Sequence, residues 1–204
     1  MFKTITAKLT GVAPLLMHNG QLADPRNEVV KAIKKVTGKK TKVEEDHILL
    51  SDLEWLGSLY TSEPGEVLVE GTSVVVAGWG HVVLPSEAIE GTLVAGAKQQ
   101  KLGKKFLGAV FCDAAVPLQY SGPKTIEDLF NAPEFRDVRR VKVQTSAVQR
   151  TRPIFRDWSA VVDINFLPDM VTKDQLVDAL VAAGRTVGLL DFRPKFGRFT
   201  VEVQ

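Results

Sequence analysis

The stretch WSAVVDINFLPDMVTKDQLVDALVAAG, Trp158 to Gly184, joins a strand to a capped helix. Trp158, Ala160, Val162, Ile164 and Phe166 alternate with Ser159, Val161, Asp163 and Asn165. Successive side chains of a strand point to opposite faces, so this period of two predicts a strand with one buried face. Thr172 offers a hydroxyl to the free N–H groups of a first helical turn, and Gly184 marks an end. Together they predict a helix over about Lys173–Ala183. A final strand, Phe196 to Val203, follows.

The other half of the chain repeats this plan. Phe2 to Leu9 alternates apolar and polar residues and reads as a first strand, broken at Gly11-Val-Ala-Pro14. Ser86, after Pro85, can cap a helix to about Lys101 with Ile89, Leu93 and Ala97 as a buried stripe. Ala109–Cys112 and Val116–Tyr120 read as short strands, and Val138–Val148 as a long one. Between the first strand and this helix lies a helical insertion, about 24–62. Asp24-Pro25 starts its first helix, and Ile48, Leu49, Leu53, Leu56 and Tyr60 form one face of its second. Val67–Val76 reads as a strand or hairpin arm. Thr125 begins a short helix.

With the insertion removed, the order is β, α, β, β, α, β. The expected class is α+β, a ferredoxin-like or RRM-like split βαβ core in one domain over 1–204. It carries the helical insertion after the first strand and a long projecting β-hairpin, about 138–167. This plan serves RNA recognition and much metabolic chemistry, so it does not choose a function.

Charge is informative only by position. The 204 residues carry a net charge of +2, too little to mark a diffuse polyanion binder. From Arg136 to Asp157, however, seven basic residues face two acids, and from Arg185 to Arg198 four face one. Compensating acids lie in Glu44–Glu70. Cys112 is the single cysteine, which excludes an internal disulfide and a multi-cysteine zinc site. No apolar run reaches membrane-spanning length. A cytoplasmic protein with no membrane partner is expected.

Three basic constellations stand out. In the hairpin RRVKVQTSAVQRTRPIFRDW, Arg139, Arg140 and Lys142 lie on one arm, while Arg150, Arg152, Phe155 and Arg156 gather at the tip with Gln149. Guanidinium groups pair with phosphates, and an exposed phenylalanine stacks on a base. A solvated edge hairpin or a protein interface are the other readings. In GLLDFRPKFGRF, Gly188 and Gly197 bracket Arg193, Lys195 and Arg198. Such glycines allow close approach to an anion, or simply a tight connection with Phe192, Phe196 and Phe199 as core plugs. In KQQKLGKK, Lys98 and Lys101 either complement a helix dipole or track a phosphate backbone. The Lys31–Lys42 run is similar and less informative.

Catalytic signals are faint. His18 and His81 are the candidates for a general base in RNA cleavage, against an incidental structural role. No histidine pair has metal-ligand spacing, and no Walker motif, GxGxxG or GxSxG occurs, so neither a metal nor a cofactor is expected.

The order of several blocks resembles the RAMP superfamily. These are the opening LTGVAPLLMHNG from Leu9, the strand-Pro-Ser-helix element VLPSEAIEGTL from Val83, and the Gly188…Arg193…Gly197-Arg-Phe loop. The chain is also similar to bacteriophage proteins that carry the blocks PLLMHNGQLADP and RTRPIF. The nearest analogues that the resemblance implies are RRM-derived backbone subunits of CRISPR effector complexes, with a projecting thumb. It implies a thumb role for Arg150, Arg152, Phe155 and Arg156. It also implies a glycine-rich-loop role for Gly188, Arg193, Gly197 and Arg198, and a first-helix role for Lys98 and Lys101. The expected function is coating of single-stranded RNA or DNA by a side-by-side oligomer, without catalysis, in a bacterial cell. Two alternatives stand beside it. One is a metal-independent endoribonuclease. The other is a phage module that docks on an acidic host protein.

Overall fold

The computed structural model describes residues 1–143 and 146–204, and the side chains of 142–147 lie outside that description. The chain begins with β1 (Lys3–Gly11), β2 (Leu15–Leu16), α1 (Glu28–Thr37), α2 (Glu44–Ser58), β3 (Glu66–Glu70) and β4 (Ser73–Ala77). There follow β5 (Val83–Leu84), α3 (Ser86–Lys98), α4 (Gly103–Ala109), β6 (Val110–Phe111), β7 (Val116–Pro117) and β8 (Gln119–Tyr120). The last elements are α5 (Ile126–Phe130), β9 (Arg136–Val143), β10 (Ser146–Phe155), β11 (Trp158–Phe166), α6 (Lys173–Thr186) and β12 (Phe199–Val203). The architecture is α+β with antiparallel sheets. No helix among the described residues is long and apolar enough to cross a membrane.

Two compact units divide the chain. The first holds residues 1–16, 83–121 and 155–204, the second 17–82 and 122–154. The expected helical insertion at 24–62 falls wholly within the second unit. The second unit gathers the helical pair together with the β3–β4 hairpin, α5, all of β9 and β10 up to Ile154. The expected hairpin over 138–167 is split between the two units.

In the first unit, the sheet has the order β12–β1–β11–β6, with β8 also on β11, all antiparallel. Ile5, Ala7 and Leu9 lie opposite Ile164, Val162 and Ala160, and all six are buried. This is the face that the alternation predicted. Ile89, Leu93 and Ala97 of α3 and Leu176, Ala179, Leu180 and Ala183 of α6 are buried as well. Each fully buried leucine contributes roughly 2 kcal/mol of hydrophobic stabilisation. The other face carries Thr4, Thr6, Lys8 and Thr10 beside Asn165, Asp163, Val161 and Ser159. Thr4 donates to Asn165 Oδ1 and Thr6 to Asp163 Oδ1, each at 2.6 Å.

Several helix ends differ from expectation. Thr172 does cap α6, and its Oγ1 accepts from the N–H of Gln175. Gly184, however, lies inside α6. A Cβ there would come 2.3 Å from the Phe199 carbonyl oxygen, so this glycine lets β12 approach the helix. Pro85, not Ser86, is the N-cap of α3. That helix stops at Lys98, because Lys101 turns into the left-handed region (φ 60°) before α4 begins. Asn27, not Asp24, caps α1 and accepts from the N–H groups of Val29 and Val30. Asp24 instead closes its own turn on the N–H of Arg26.

The second unit has its own core, Val29, Val36, Leu49 and Leu53, packed against Val67 and Val74 of the β3–β4 hairpin. Ile48 is 54% exposed and Tyr60 lies past the end of α2, which narrows the predicted face to Leu49, Leu53 and Leu56. Asp46 fixes the start of α2. It accepts from Lys39 Nζ at 2.5 Å and from the N–H of Val43 at 3.1 Å. These hydrogen bonds, the lysine first, hold its carboxyl below the ordinary 3.8. A lowered folded pKa stabilises the protein above the unfolded value and ceases to do so as pH falls through the folded one. The stability difference between wild type and Asp46→Asn should therefore be full at pH 7 and vanish in urea melts well below pH 3.8.

Candidate nucleic-acid interface

The segment from Gly188 to Arg198 is a loop with a closed neck. Leu189 N–H donates to the Gly197 carbonyl at 2.9 Å. Gly188 and Gly197 have φ of +78° and +71°, where a Cβ is strained. A Cβ on Gly188 would lie 2.6 Å from the Phe196 oxygen, and one on Gly197 only 2.0 Å from the Leu189 oxygen. The glycines thus make the neck, as expected of a loop with touching ends. Buried Leu189 and Phe196 anchor it. Further tethers run from Gly197 N–H to the Pro14 carbonyl, 2.8 Å, and from Asp191 N–H to the Leu16 carbonyl, 3.0 Å.

Above this neck the loop is strained and cationic. Leu190 and Phe192 both sit at φ 58°, each costing roughly 1–2 kcal/mol. Strain of this kind persists only where surrounding contacts over-determine it. Arg193 Nη1 donates to Thr92 Oγ1 at 3.3 Å, and that hydroxyl donates to the Gly188 carbonyl at 3.1 Å. This ties the loop to the middle of α3. Arg193, Lys195 and Arg198 remain exposed. Phe192, a core plug in the alternative reading of the loop, is 41% exposed and stands edge-to-face on buried Phe196, with ring centroids 6.2 Å apart. The sequence reading missed it. Its signal was the flanking Asp191 and Arg193, which leave no apolar neighbour beside it.

The expected hairpin tip does not form. Gln149, Arg150 and Arg152 lie within β10, opposite Arg140, Arg139 and Asp137 of β9. Phe155 is 0% exposed and packs on the Tyr120 ring at 4.8 Å, so it offers no free face to a base. Arg152 is only 8% exposed. Arg150 pairs with Glu54, whose other oxygen accepts from the N–H of Thr151 at 3.0 Å. Arg139 is bidentate on Asp137 at 2.5 Å. Arg136 Nη1 binds Asp52 at 2.7 Å and its guanidinium lies 4.7 Å from the Phe130 ring centre. Asp52, Asp137 and Glu54 thus pair with Arg136, Arg139 and Arg150, and Arg152 is buried, so the expected hairpin cations lie within the second unit. Arg140 is exposed. The side chain of Lys142 lies outside the described residues.

Arg156 is exposed in the turn before β11, whose first residues lie opposite Thr10 and Tyr120. That is the sheet end where the loop enters β12, with Phe199 opposite Gly11. An open polar groove of about 380 Å³, lined by Lys8, Thr10, Gln119, Tyr120, Asp157 and Trp158, lies at the same end. Burial pushes the Tyr120 hydroxyl upward in pKa.

The lysines sit on α3, on α4 and in the link between these helices. Lys104 and Lys105 ride on α4, which feeds β6, where Val110 pairs with Phe166, itself opposite Lys3. Lys3 and Gly11 mark the two ends of β1, roughly 26 Å apart at the rise of a strand. The stem of Lys98 lies over Gly103, on the α4 side, and Lys101 sits in the link between α3 and α4. Gln99, next to Lys98, donates to Thr186 Oγ1 at the end of α6.

Both candidate histidines belong to the second unit, whereas the loop belongs to the first. His18 Nδ1 lies 3.5 Å from Ser58 Oγ, and His81 Nδ1 lies 3.1 Å from Ser62 Oγ. No group of three or more His, Cys, Asp or Glu among the described residues could hold a metal. Cys112 is buried, and its N–H donates to Glu90 Oε1 at 2.8 Å. Burial first, then Glu90, Asp113 and Asp163, push its thiol up to about 12. At pH 8 roughly one molecule in ten thousand then carries the thiolate. Iodoacetamide should label the native protein far more slowly than the urea-unfolded one, and equal rates would contradict this placement.

Compared with known proteins, the chain matches no family model and no curated sequence.

Proposed function

We propose that the chain is a non-catalytic protein that binds single-stranded nucleic acid through the Gly188–Arg198 loop. The observation that carries this reading is the loop itself. A glycine neck and three tethers hold one exposed aromatic ring, Phe192, among Arg193, Lys195 and Arg198. A base stacks on any aromatic face, and the flanking cations neutralise phosphates, so affinity comes with little sequence preference. Arg156 extends the cationic surface at the same sheet end.

The fold reading is compatible. Strands β1, β6 with β8, β11 and β12 take the spatial order fourth, first, third, second, with α3 and α6 as the two connecting helices. That is the order of a split βαβ plan, and it supports a ferredoxin-like, RAMP-related core. The RRM habit of stacking bases on the open sheet face is not part of this proposal. That face is lined centrally by Thr4, Thr6, Lys8, Asp163 and Val161. Coating of a strand would need self-association, visible as cooperative binding.

The test is a salt series with labelled single-stranded RNA, single-stranded DNA and duplex DNA. Phe192→Ala should weaken single-strand binding about tenfold with the salt slope unchanged. Arg193→Ala and Arg198→Ala should each weaken it on all sequences and lower the slope by about 0.7. Bound RNA should stay intact. No binding to any of the three at low salt would reject the proposal. It would favour a protein partner instead, for which the outward Leu68–Val75 pair of the β3–β4 hairpin is one exposed apolar surface.

A further inference from the structure

The Lys31–Lys42 run takes no part in the loop. It borders a separate groove of about 550 Å³ in the second unit, between α1, α2 and the β3–β4 hairpin. The floor is hydrocarbon: Val36, Leu49 and Leu53, with Val67 packed against them. Val69 shares the inward face of β3 with Val67, yet it is 41% exposed. The hairpin therefore leaves apolar surface uncovered toward Gly71.

The rim on the α1 side carries Lys31, Lys35 and Lys39 with one carboxylate, Glu28. Lys31 and Lys35 are one helical turn apart and project from the same stripe. Lys31 pairs with Glu28, and Lys39 with buried Asp46. Lys35 belongs to none of the ion pairs among the described residues. A mostly apolar cleft of this size with a few placed charges has the character of a small-ligand site.

We propose that this groove binds a single-chain fatty carboxylate, its head on Lys35 and its tail against Val67, Val69 and Leu53. Charge complementarity selects the head: the Lys35 ammonium, outside the ion pairs that hold Lys31 and Lys39, accepts an anion and repels a cation. The floor selects the tail. The occupant is a free amphiphile, since the groove lies between packed elements and not on a flat face.

Calorimetric titration of the intact protein with hexanoate, octanoate and decanoate tests this. One site per chain is expected, with affinity rising about threefold to fourfold per added CH₂. Decyltrimethylammonium should bind at least tenfold more weakly than decanoate. Lys35→Glu should weaken decanoate at least tenfold while leaving the thermal midpoint unchanged, and Val69→Asp should do the same through the tail. No saturable heat, no chain-length dependence, or equal binding of the decyl cation would overturn the proposal. Phe192→Ala should leave decanoate binding untouched, so this site and the nucleic-acid reading stand or fall separately.

Discussion

Gly197→Ala should destabilise the protein by about 3 kcal/mol and abolish the nucleic-acid binding proposed for the loop. Two costs add. The alanine must adopt a φ of +71°, roughly 1–2 kcal/mol for a residue with a Cβ. Its Cβ would also meet the Leu189 oxygen at 2.0 Å and the Leu189 nitrogen at 2.6 Å. These are backbone atoms of the loop's own neck, and they cannot swing aside as a lysine tip would. Relief requires opening the neck, which breaks the Leu189–Gly197 hydrogen bond and unseats Phe192 and Arg193. Gly91→Ala is the matched control. It lies in α3, nothing stands within 4 Å of its Cβ, and alanine favours helix by roughly 0.5–1 kcal/mol. Urea melts of both variants check the stability difference, and the single-strand titration checks the loop. A Gly197→Ala protein with wild-type stability and wild-type binding would show that the neck is not as drawn.

Glu54→Gln produces the second large effect, a loss of about 2–4 kcal/mol. Glu54 is 5% exposed and holds both the Arg150 guanidinium and the N–H of Thr151. Arg150 lies directly opposite Arg139 across the β9–β10 ladder. Like charges in that position repel, and each is compensated by its own carboxylate, Glu54 for Arg150 and Asp137 for Arg139. The amide keeps the shape and removes the charge, leaving a half-buried arginine uncompensated. Arg150→Met in the same chain removes that arginine and should restore most of the loss, because breaking a buried pair costs more than replacing it. Guanidinium chloride midpoints for the two single variants and the double variant close the cycle. A Glu54→Gln change below about 0.5 kcal/mol would return Arg150 to the solvent-facing role that its sequence first suggested.

The outcome for these arginines shows where local reading ends. In the sequence they form one basic run, with compensating acids noted far away in Glu44–Glu70. Nothing in either segment states that Ser51, Asp52 and Glu54 meet Thr151, Arg136 and Arg150. Those contacts bridge roughly a hundred positions and exist only once α2 packs on the hairpin. The two phenylalanines invert for the same reason. Phe155 follows Arg152 and Pro153 and reads as an exposed ring, yet Tyr120 covers it. Phe192 reads as a plug, yet the anchoring of Leu189 and Phe196 turns it outward.

By itself, the sequence determined the elements whose signal is periodic and local. These include the buried faces of β1 and β11, the α3 stripe Ile89-Leu93-Ala97, the Thr172 cap, the Thr125 start of α5 and the glycine bracket at 188 and 197. Each depends on a backbone repeat or a hydrogen bond between residues a few positions apart, so the chain carries it wherever it folds. Tertiary structure alone decided the division into two units, the burial of Gly184 inside α6, the pairing of the hairpin arginines and the exposure of Phe192. Each of these depends on which distant atoms arrive beside a side chain, and apolar burial and ion pairing respond to that neighbour rather than to position in the chain.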